Sequence, residues 1–385
     1  MTGPLTGVRV IEIAGLGAGP FCGMMLADMG AEVVRVERVG AGISDLDRCN
    51  PLLRNRRSIA LDLKQEADVN VLLQLVDRAD VLFEAFRPGV AERLGFGPEI
   101  CLRRNPRLVY GRMTGWGQNG PLASAAGHDI NYIALAGALG LIGEGGRAPV
   151  PPLNLIGDFG GGGMLLAFGV VCALLEARNS GQGQVIDAAM LDGTIALLSM
   201  FHGMRALGSC GERPGENLLS GAAHFYSTYE TSDGHFISIA AIEPQFYALL
   251  IDKLGLDREV FAHARHPNYT PEEMRTRWPL LKQQLADLFA SRPRAHWDAL
   301  LLGTDVCYAP VVTLTEASGH PHNRARGNFV DVAGVIQNAP APRFSRTKPS
   351  TPIAPRTPGE DTNAVLADWG LTRNGVPSPE GRGTG

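Results

Sequence analysis

The 385-residue chain has little that would tie it to a membrane, an oxidising compartment or a nucleic acid. Its most apolar segment, Met164 to Leu175, falls short of the ~20 residues that a spanning helix needs, so no membrane span is expected. The start, Met-Thr-Gly-Pro-Leu-Thr-Gly, has neither a basic n-region nor an apolar h-region. Six cysteines (Cys22, Cys49, Cys101, Cys172, Cys210, Cys307) stand singly, with no Cys-x-x-Cys pair. That pattern argues against a disulfide framework and a structural zinc site, and it fits a reducing, cytoplasmic setting. No basic block accompanies the net charge of −4, so no nucleic-acid partner is expected. The composition is instead 45% hydrophobic and only 19% charged, which supplies a large core for two domains.

The first half alternates between two hydrophobic periods. Val8 to Ile13 reads as a buried strand, followed by the glycine-rich turn Ala14 to Gly19 and a helix opening at Pro20, where proline suits the first helical turn. Further strands are expected at Glu32–Glu37, Ser58–Leu63, Asp80–Glu84 and Arg107–Arg112, with helices near Gln65–Asp77 and Val90. Such repetition predicts a doubly wound, Rossmann-like α/β domain. The first turn invites a dinucleotide, but Gly-x-Gly-x-x-Gly fails: Pro20 or Cys22 falls at the third glycine, depending on the starting residue.

Two stretches carry chemistry. Gly127-His128-Asp129-Ile130-Asn131-Tyr132 and Asn154-Leu155-Ile156-Gly157-Asp158-Phe159 each set a titratable group beside glycine and ahead of a helix. An imidazole facing a carboxylate can take a proton from one side of a carbon and return it to the other. Singly, each residue has a plainer role: His128 as a surface or core histidine, Asp158 as a helix cap, and Glu243 as a first-turn acid. Arginines at 38, 54, 56, 57, 87 and 93 fall near expected strand ends, where open α/β sheets bind ligands. Guanidinium forks suit a polyphosphate such as coenzyme A, although solvated surface arginines give the same pattern.

The ordered set of Pro4-Leu5-Thr6-Gly7-Val8-Arg9, Leu26 to Arg35, Arg54-Asn55-Arg56-Arg57, Phe86-Arg87-Pro88-Gly89-Val90, Met113 to Gln118, Gly127 to Tyr132 and Ala240 to Tyr247 resembles the family III CoA-transferase superfamily. Within it, the similarity is to the branch of α-methylacyl-CoA racemases, and it runs to about Ser345-Arg346. The resemblance implies an interlocked homodimer whose active site lies between the large domain of one chain and the small domain of the other. It implies that Arg38 and Arg93 meet the CoA phosphates. Leu61, Asp62, Leu63, Lys64, Ala85, Phe86 and Arg87 would line the nucleotide cleft, with Gly127 and Tyr132 nearby. His128 and Asp158 would be the acid/base pair and Glu243 the partner of His128; for the enolate oxygen, the Asp129 amide at a helix start is the candidate donor. The implied reaction interconverts (R)- and (S)-2-methylacyl-CoA, with CoA as part of the substrate and no separate cofactor or metal. A transferase of the same superfamily would use Asp158 as a nucleophile and has no use for His128 and Glu243.

In the second half, long helices are expected at Gly160–Arg178 and Met190–Leu207, with a strand at Gln184–Ala188 between them. Met190, Met200, Phe201 and Met204 could border an acyl chain or simply fill core. The expected organisation is a large domain to residue 207, a linker over 208–224, a small α+β domain over 225–330, and a return segment over 331–371. The Gly/Pro/Ser-rich tail from Thr372 is expected to be disordered, and its Gly-Thr-Gly end is not of the Ser-Lys-Leu type.

Overall fold

The computed structural model describes residues 2–262 and 271–371; the expected disordered tail lies outside them. The chain divides into two compact units. The first takes the chain up to Ala136, Leu153–Leu197 and the chain from Ala325 onward; the second takes Gly137–Pro152 and Leu198–Arg324. The second unit thus begins ahead of the linker expected at 208–224, and it includes a segment that sequence had left in the large domain.

The first unit is built on six parallel strands: β1 (Arg9–Ile13), β2 (Glu32–Glu37), β3 (Arg56–Ala60), β4 (Val81–Glu84), β5 (Val109–Thr114) and β6 (Val185–Ala189). Their order is β3-β2-β1-β4-β5-β6, so direction of winding reverses at β1. A parallel sheet needs both faces covered, and alternation along the strands supplies both. Val10, Val33, Val81 and Val109 point to a core shared with helices Ala18–Asp28 and Leu165–Ser180. Ile11, Val34, Leu82 and Tyr110 point to the other, with helix Glu66–Val76 and Trp369.

β3 starts at Arg56, earlier than the expected Ser58, because its first residues are arginines that bury their charge in pairs. Glu12, fully buried, accepts from Arg35 and from Arg56 Nε at 3.0 Å. Arg54, also fully buried, pairs with Asp28 and donates to Gln337 Oε1 at 2.8 Å. Arg57 reaches Glu32 at 3.0 Å and Asp368 at 2.8 Å. The Arg54/Arg56/Arg57 group therefore stands at the wrong end of β3 for a phosphate and is already paired; sequence had offered it as a phosphate-binding group.

Arg54 also anchors a hairpin that sequence did not disclose. β10 (Phe329–Val332) and β11 (Val335–Asn338) pair antiparallel across Ala333-Gly334, both at positive φ, as a tight hairpin turn requires. The return segment then runs along the β3 edge, where the Ser58 amide donates to Asp361 Oδ2 at 2.9 Å, and ends in helix Thr362–Asp368.

Residues 160–178 were expected to form one apolar α-helix. Instead a π-helix over Leu155–Met164 runs into an α-helix over Leu165–Ser180. This 26-residue run contains an 18-residue window of mean hydropathy 1.8 and is long and apolar enough to cross a membrane by length and composition. That differs from the shorter segment read in sequence. Its side toward the sheet is nevertheless core, with Leu166 and Val170 fully buried. The expected helix over 190–207 breaks at Leu198 into Met190–Leu197 and Ser199–Ala206.

The second unit is α+β. Strands β7 (Tyr226–Glu230), β8 (Phe236–Ala240) and β9 (Tyr308–Val311) form an antiparallel sheet. Helices Pro244–Leu254, Pro271–Phe289 and Arg294–Leu301 contribute to its core, which includes Tyr247, Leu285, Phe289 and Trp297.

Removing one partner of a buried ion pair leaves the other charge stranded, at a cost of about 3–5 kcal/mol. Arg54→Ala should lower unfolding stability in urea by that order. A loss below about 1 kcal/mol would contradict the anchoring role given to Arg54.

Candidate active site

In an open parallel sheet, the crevice outside the carboxyl ends of the strands gathers the loops at the point where winding reverses. Here that crevice is a cavity of about 460 Å³. The loop after β1 lines it with Leu16 and Gly17, the loop after β4 with Ala85 to Pro88, and the end of β5 with Met113 to Trp116. Met190 follows β6, and Gly127, His128, Tyr132 and Asp158 complete the wall.

His128 is placed by its neighbours. Tyr132 lies edge-on to Trp116, with ring centroids 4.8 Å apart, and its hydroxyl donates to the Gly127 carbonyl. The ring fits only because Gly115 and Gly127 lack a Cβ, which would approach it to 2.1 and 2.7 Å. The chain then turns into helix Asp129–Leu135 with His128 as its N-cap residue, and the His128 amide donates to Asn131 Oδ1 at 3.0 Å. The imidazole is left exposed at the cavity wall.

Asp158 arrives from the π-helix. Asn154, not Asp158, is the residue before that helix, so the capping role considered in sequence does not apply. The Asp158 amide donates to Asp129 Oδ1 at 2.7 Å, and its carboxyl accepts from Asn154 Nδ2 at 3.1 Å. Burial pushes the Asp158 carboxyl above the ordinary aspartate range, against the Asn154 bond; the charge of Asp129 adds to the rise and that of His128 opposes it. His128 and Asp158 therefore share one cavity, and the charge of His128 acts on the Asp158 carboxyl.

Gly17 sits at a φ of 64°, and a Cβ there would lie 3.1 Å from Asp158 Oδ2. A carboxylate thus occupies the side of the first turn where a dinucleotide pyrophosphate would need backbone amides. The failed glycine fingerprint has a physical counterpart.

The residues expected to hold coenzyme A line up along the same sheet edge. Arg38 directly follows β2, Leu61 to Lys64 follow β3, Ala85 to Arg87 follow β4, and Arg93 ends the turn of helix Val90–Arg93. Arg38, Arg87 and Arg93 are exposed, and none is in an ion pair among the described residues, unlike Arg35, Arg54, Arg56 and Arg57. Leu61 is buried in the core beneath the edge, with Asp62 and Leu63 half-buried and Lys64 exposed.

Glu243 belongs to the second unit, where it precedes helix Pro244–Leu254 with its side chain exposed and bonded to no cap amide. Met200, Phe201 and Met204 also lie on that unit, in helix Ser199–Ala206; of the suggested acyl-chain residues, Met190 lines the cavity. Among the described residues, no three His, Cys, Asp or Glu side chains gather as metal ligands do.

Sequence reasoning missed Glu84. Fully buried at the end of β4, it accepts from the Phe86 amide at 2.6 Å and meets Arg112 Nε at 3.3 Å; Arg112 in turn meets Glu92 at 2.9 Å. This strut connects the Ala85–Arg87 loop to the helix that carries Arg93. The signal was a charged residue closing an apolar strand. Burial pushes its carboxyl up to about 7, with Arg112 and the Phe86 amide opposing.

The profile of CoA-transferase family III matches residues 5–362. The α-methylacyl-CoA racemase of Mus musculus is 48% identical over 97% of this chain and 95% of its own length. The Homo sapiens protein of that name is 46% identical over the same shares. The crystal structure of a CAIB/BAIF family protein from Brucella suis superposes with a TM-score of 0.81 at 27% identity, covering 96% of this chain and 100% of that one.

A folded-state value for Glu84 above its ordinary 4.5 makes its contribution to stability fully present below about pH 4 and lost as pH rises through about 7. Between pH 5 and pH 8, wild type should lose on the order of 2–3 kcal/mol relative to Glu84→Gln, measured by urea unfolding. Parallel pH curves for the two proteins would contradict the assignment.

Proposed function

The chain belongs to CoA-transferase family III, and on that premise we propose that it is a racemase interconverting (R)- and (S)-2-methylacyl-CoA. The observation that carries this reading is the placement of His128 and Asp158 on one cavity at the carboxyl edge of the sheet. The names carried by the mouse and human relatives point the same way.

Racemisation breaks the α-C–H bond on one face and forms a new one on the other. In one direction the Asp158 carboxylate takes the α-proton, the electron pair passes into the thioester as an enolate, and protonated His128 delivers a proton to the opposite face. In the other direction neutral His128 is the base and protonated Asp158 the acid. An imidazole can both take and give a proton near neutral pH, which suits both roles. An aspartate becomes a useful acid only when its affinity for the proton is raised, and burial together with Asp129 acts on Asp158 in that sense. The Asp129 amide, at the start of its helix, is our candidate donor to the enolate oxygen. CoA travels with the substrate, and the scheme uses no other cofactor.

The nucleotide would lie along the sheet edge, with Arg38 and Arg93 toward its phosphates and Leu61 to Lys64 and Ala85 to Arg87 around it; free guanidinium groups at that edge support the assignment. We also propose a homodimer in which Glu243 of one chain accepts from the His128 imidazole of the other and steadies its imidazolium form. Helix Leu165–Ser180 supports a subunit contact: Phe168, Val171 and Leu175 share one face at helical spacing, with Phe168 66% and Leu175 63% exposed in the single chain.

In D₂O the protein should incorporate deuterium at the α-carbon of a 2-methylacyl-CoA. No incorporation, together with hydroxylamine-sensitive CoA transfer between acids, would instead favour a transferase with Asp158 as nucleophile. His128→Ala and Asp158→Asn should each slow exchange by at least about a hundredfold, with opposite preferences between the two enantiomers. Equal losses from both enantiomers would count against two face-specific bases.

A further inference from the structure

We propose that the side chain of Asp129 is the positioning residue for Asp158: it grips the Asp158 amide and sets a like charge behind the reacting carboxyl. This rests on the racemase reading and adds to it, since that reading uses only the Asp129 backbone.

Three observations carry it. Asp129 is 7% exposed, yet it points one oxygen at the Asp158 backbone, with Oδ1 accepting from that amide at 2.7 Å. The other oxygen, Oδ2, is buried and has no hydrogen-bond partner among the described residues. A buried carboxylate oxygen without a donor is costly, so its site must be enforced by packing. Space for it is made by Gly157, where a Cβ would come within 2.6 Å of Asp129 Oδ1 and 3.1 Å of Ile133 Cγ2. The carboxylate is thus wedged beneath the turn that presents Asp158, and a fuller set of donors would have weakened the field it exerts there.

The groups facing Asp158 are few. His128, Asp129 and Tyr132 come from or beside helix Asp129–Leu135, and Asn154 precedes its own helix. Helix Ala18–Asp28 presents Gly17 at its cap and Phe21, which stacks on Phe159 at 4.7 Å. Helix Met190–Leu197 meets the π-helix through Met190 and Thr194. Among the described residues, Asp129 is therefore the one other carboxylate acting on Asp158, and its charge opposes that of His128. Without it, Asp158 would hold a proton less tightly and be a poorer acid.

The test is the pH profile of α-deuterium exchange in Asp129→Asn, which keeps an oxygen for the Asp158 amide but removes the charge. The acid limb should move down by about one pH unit, with KM changed less than about twofold. Asp129→Ala, which also loses the amide contact, should lower kcat by a further factor of about ten. A second measurement does not depend on activity: the side-chain carboxyl ¹³C signal of Asp158, assigned by its loss in Asp158→Asn, should titrate at lower pH in Asp129→Asn than in wild type. If wild type exchanges deuterium but both the limb and the ¹³C titration are unmoved in Asp129→Asn, the inference is overturned and the racemase reading stands. If wild type fails to exchange, the racemase reading falls, and the ¹³C titration still decides whether Asp129 acts on Asp158.

Discussion

The first unit depends on one close approach. The π-helix over Leu155–Met164 lies between helices Ala18–Asp28 and Met190–Leu197 at distances that admit no side chain. A Cβ on Gly193 would fall 1.9 Å from the Gly161 carbonyl oxygen, and one on Gly163 would fall 2.5 Å from that of Ala18. The four glycines at 160–163 thus serve packing, and the packing serves placement. With backbone against backbone, the start of the π-helix reaches the carboxyl edge of the sheet and brings Asp158 to the cavity wall that His128 shares. A side chain at any of these contacts would force the backbones apart and shift the π-helix that carries Asp158.

The charges of the first unit divide by position. At the amino end of β3 and beneath helix Ala18–Asp28, buried Arg35 and Arg56 share Glu12, buried Arg54 pairs with Asp28, and half-buried Arg57 meets Glu32 and Asp368. Such pairs add little net stability against apolar replacements, but they fix registry, because each leaves an intolerable charge if its partner moves. At the carboxyl edge, Arg38, Arg87 and Arg93 stand exposed among the loops. In the proposed scheme those exposed cations receive an anion, a long, phosphate-bearing ligand that spans the loops after β2, β3 and β4.

Much of this was legible in sequence, for reasons that differ by element. β2 falls at its expected Glu32–Glu37, because a valine-rich run directly after the Gly30 turn marks both its type and its start. β3 was placed too late because paired arginines hide a strand start from any reading based on hydrophobicity. The β10–β11 hairpin was missed because Ala333-Gly334 lacks the Asn-Gly or Asp-Gly signature that positive φ usually demands. The π-helix was invisible, since no local propensity separates it from an α-helix with glycines. His128 and Asp158 were singled out by residue type and by resemblance; spacing alone does not bring residues thirty positions apart to one cavity.

Glu84 and Asp129 show why the remainder of the site escaped. Each is an acid that local sequence explains away, Glu84 as the polar end of a strand and Asp129 as a first-turn helix acid. Their meaning is tertiary. Glu84 accepts from the Phe86 amide and links through Arg112 to the helix bearing Arg93, whereas Asp129 accepts from the Asp158 amide across the break between two segments. In both, a buried carboxylate fixes a backbone amide next to a residue that meets the ligand in the proposed scheme. The side chains that do chemistry can be guessed from their type, but those that hold them are ordinary acids made particular by what lies above them.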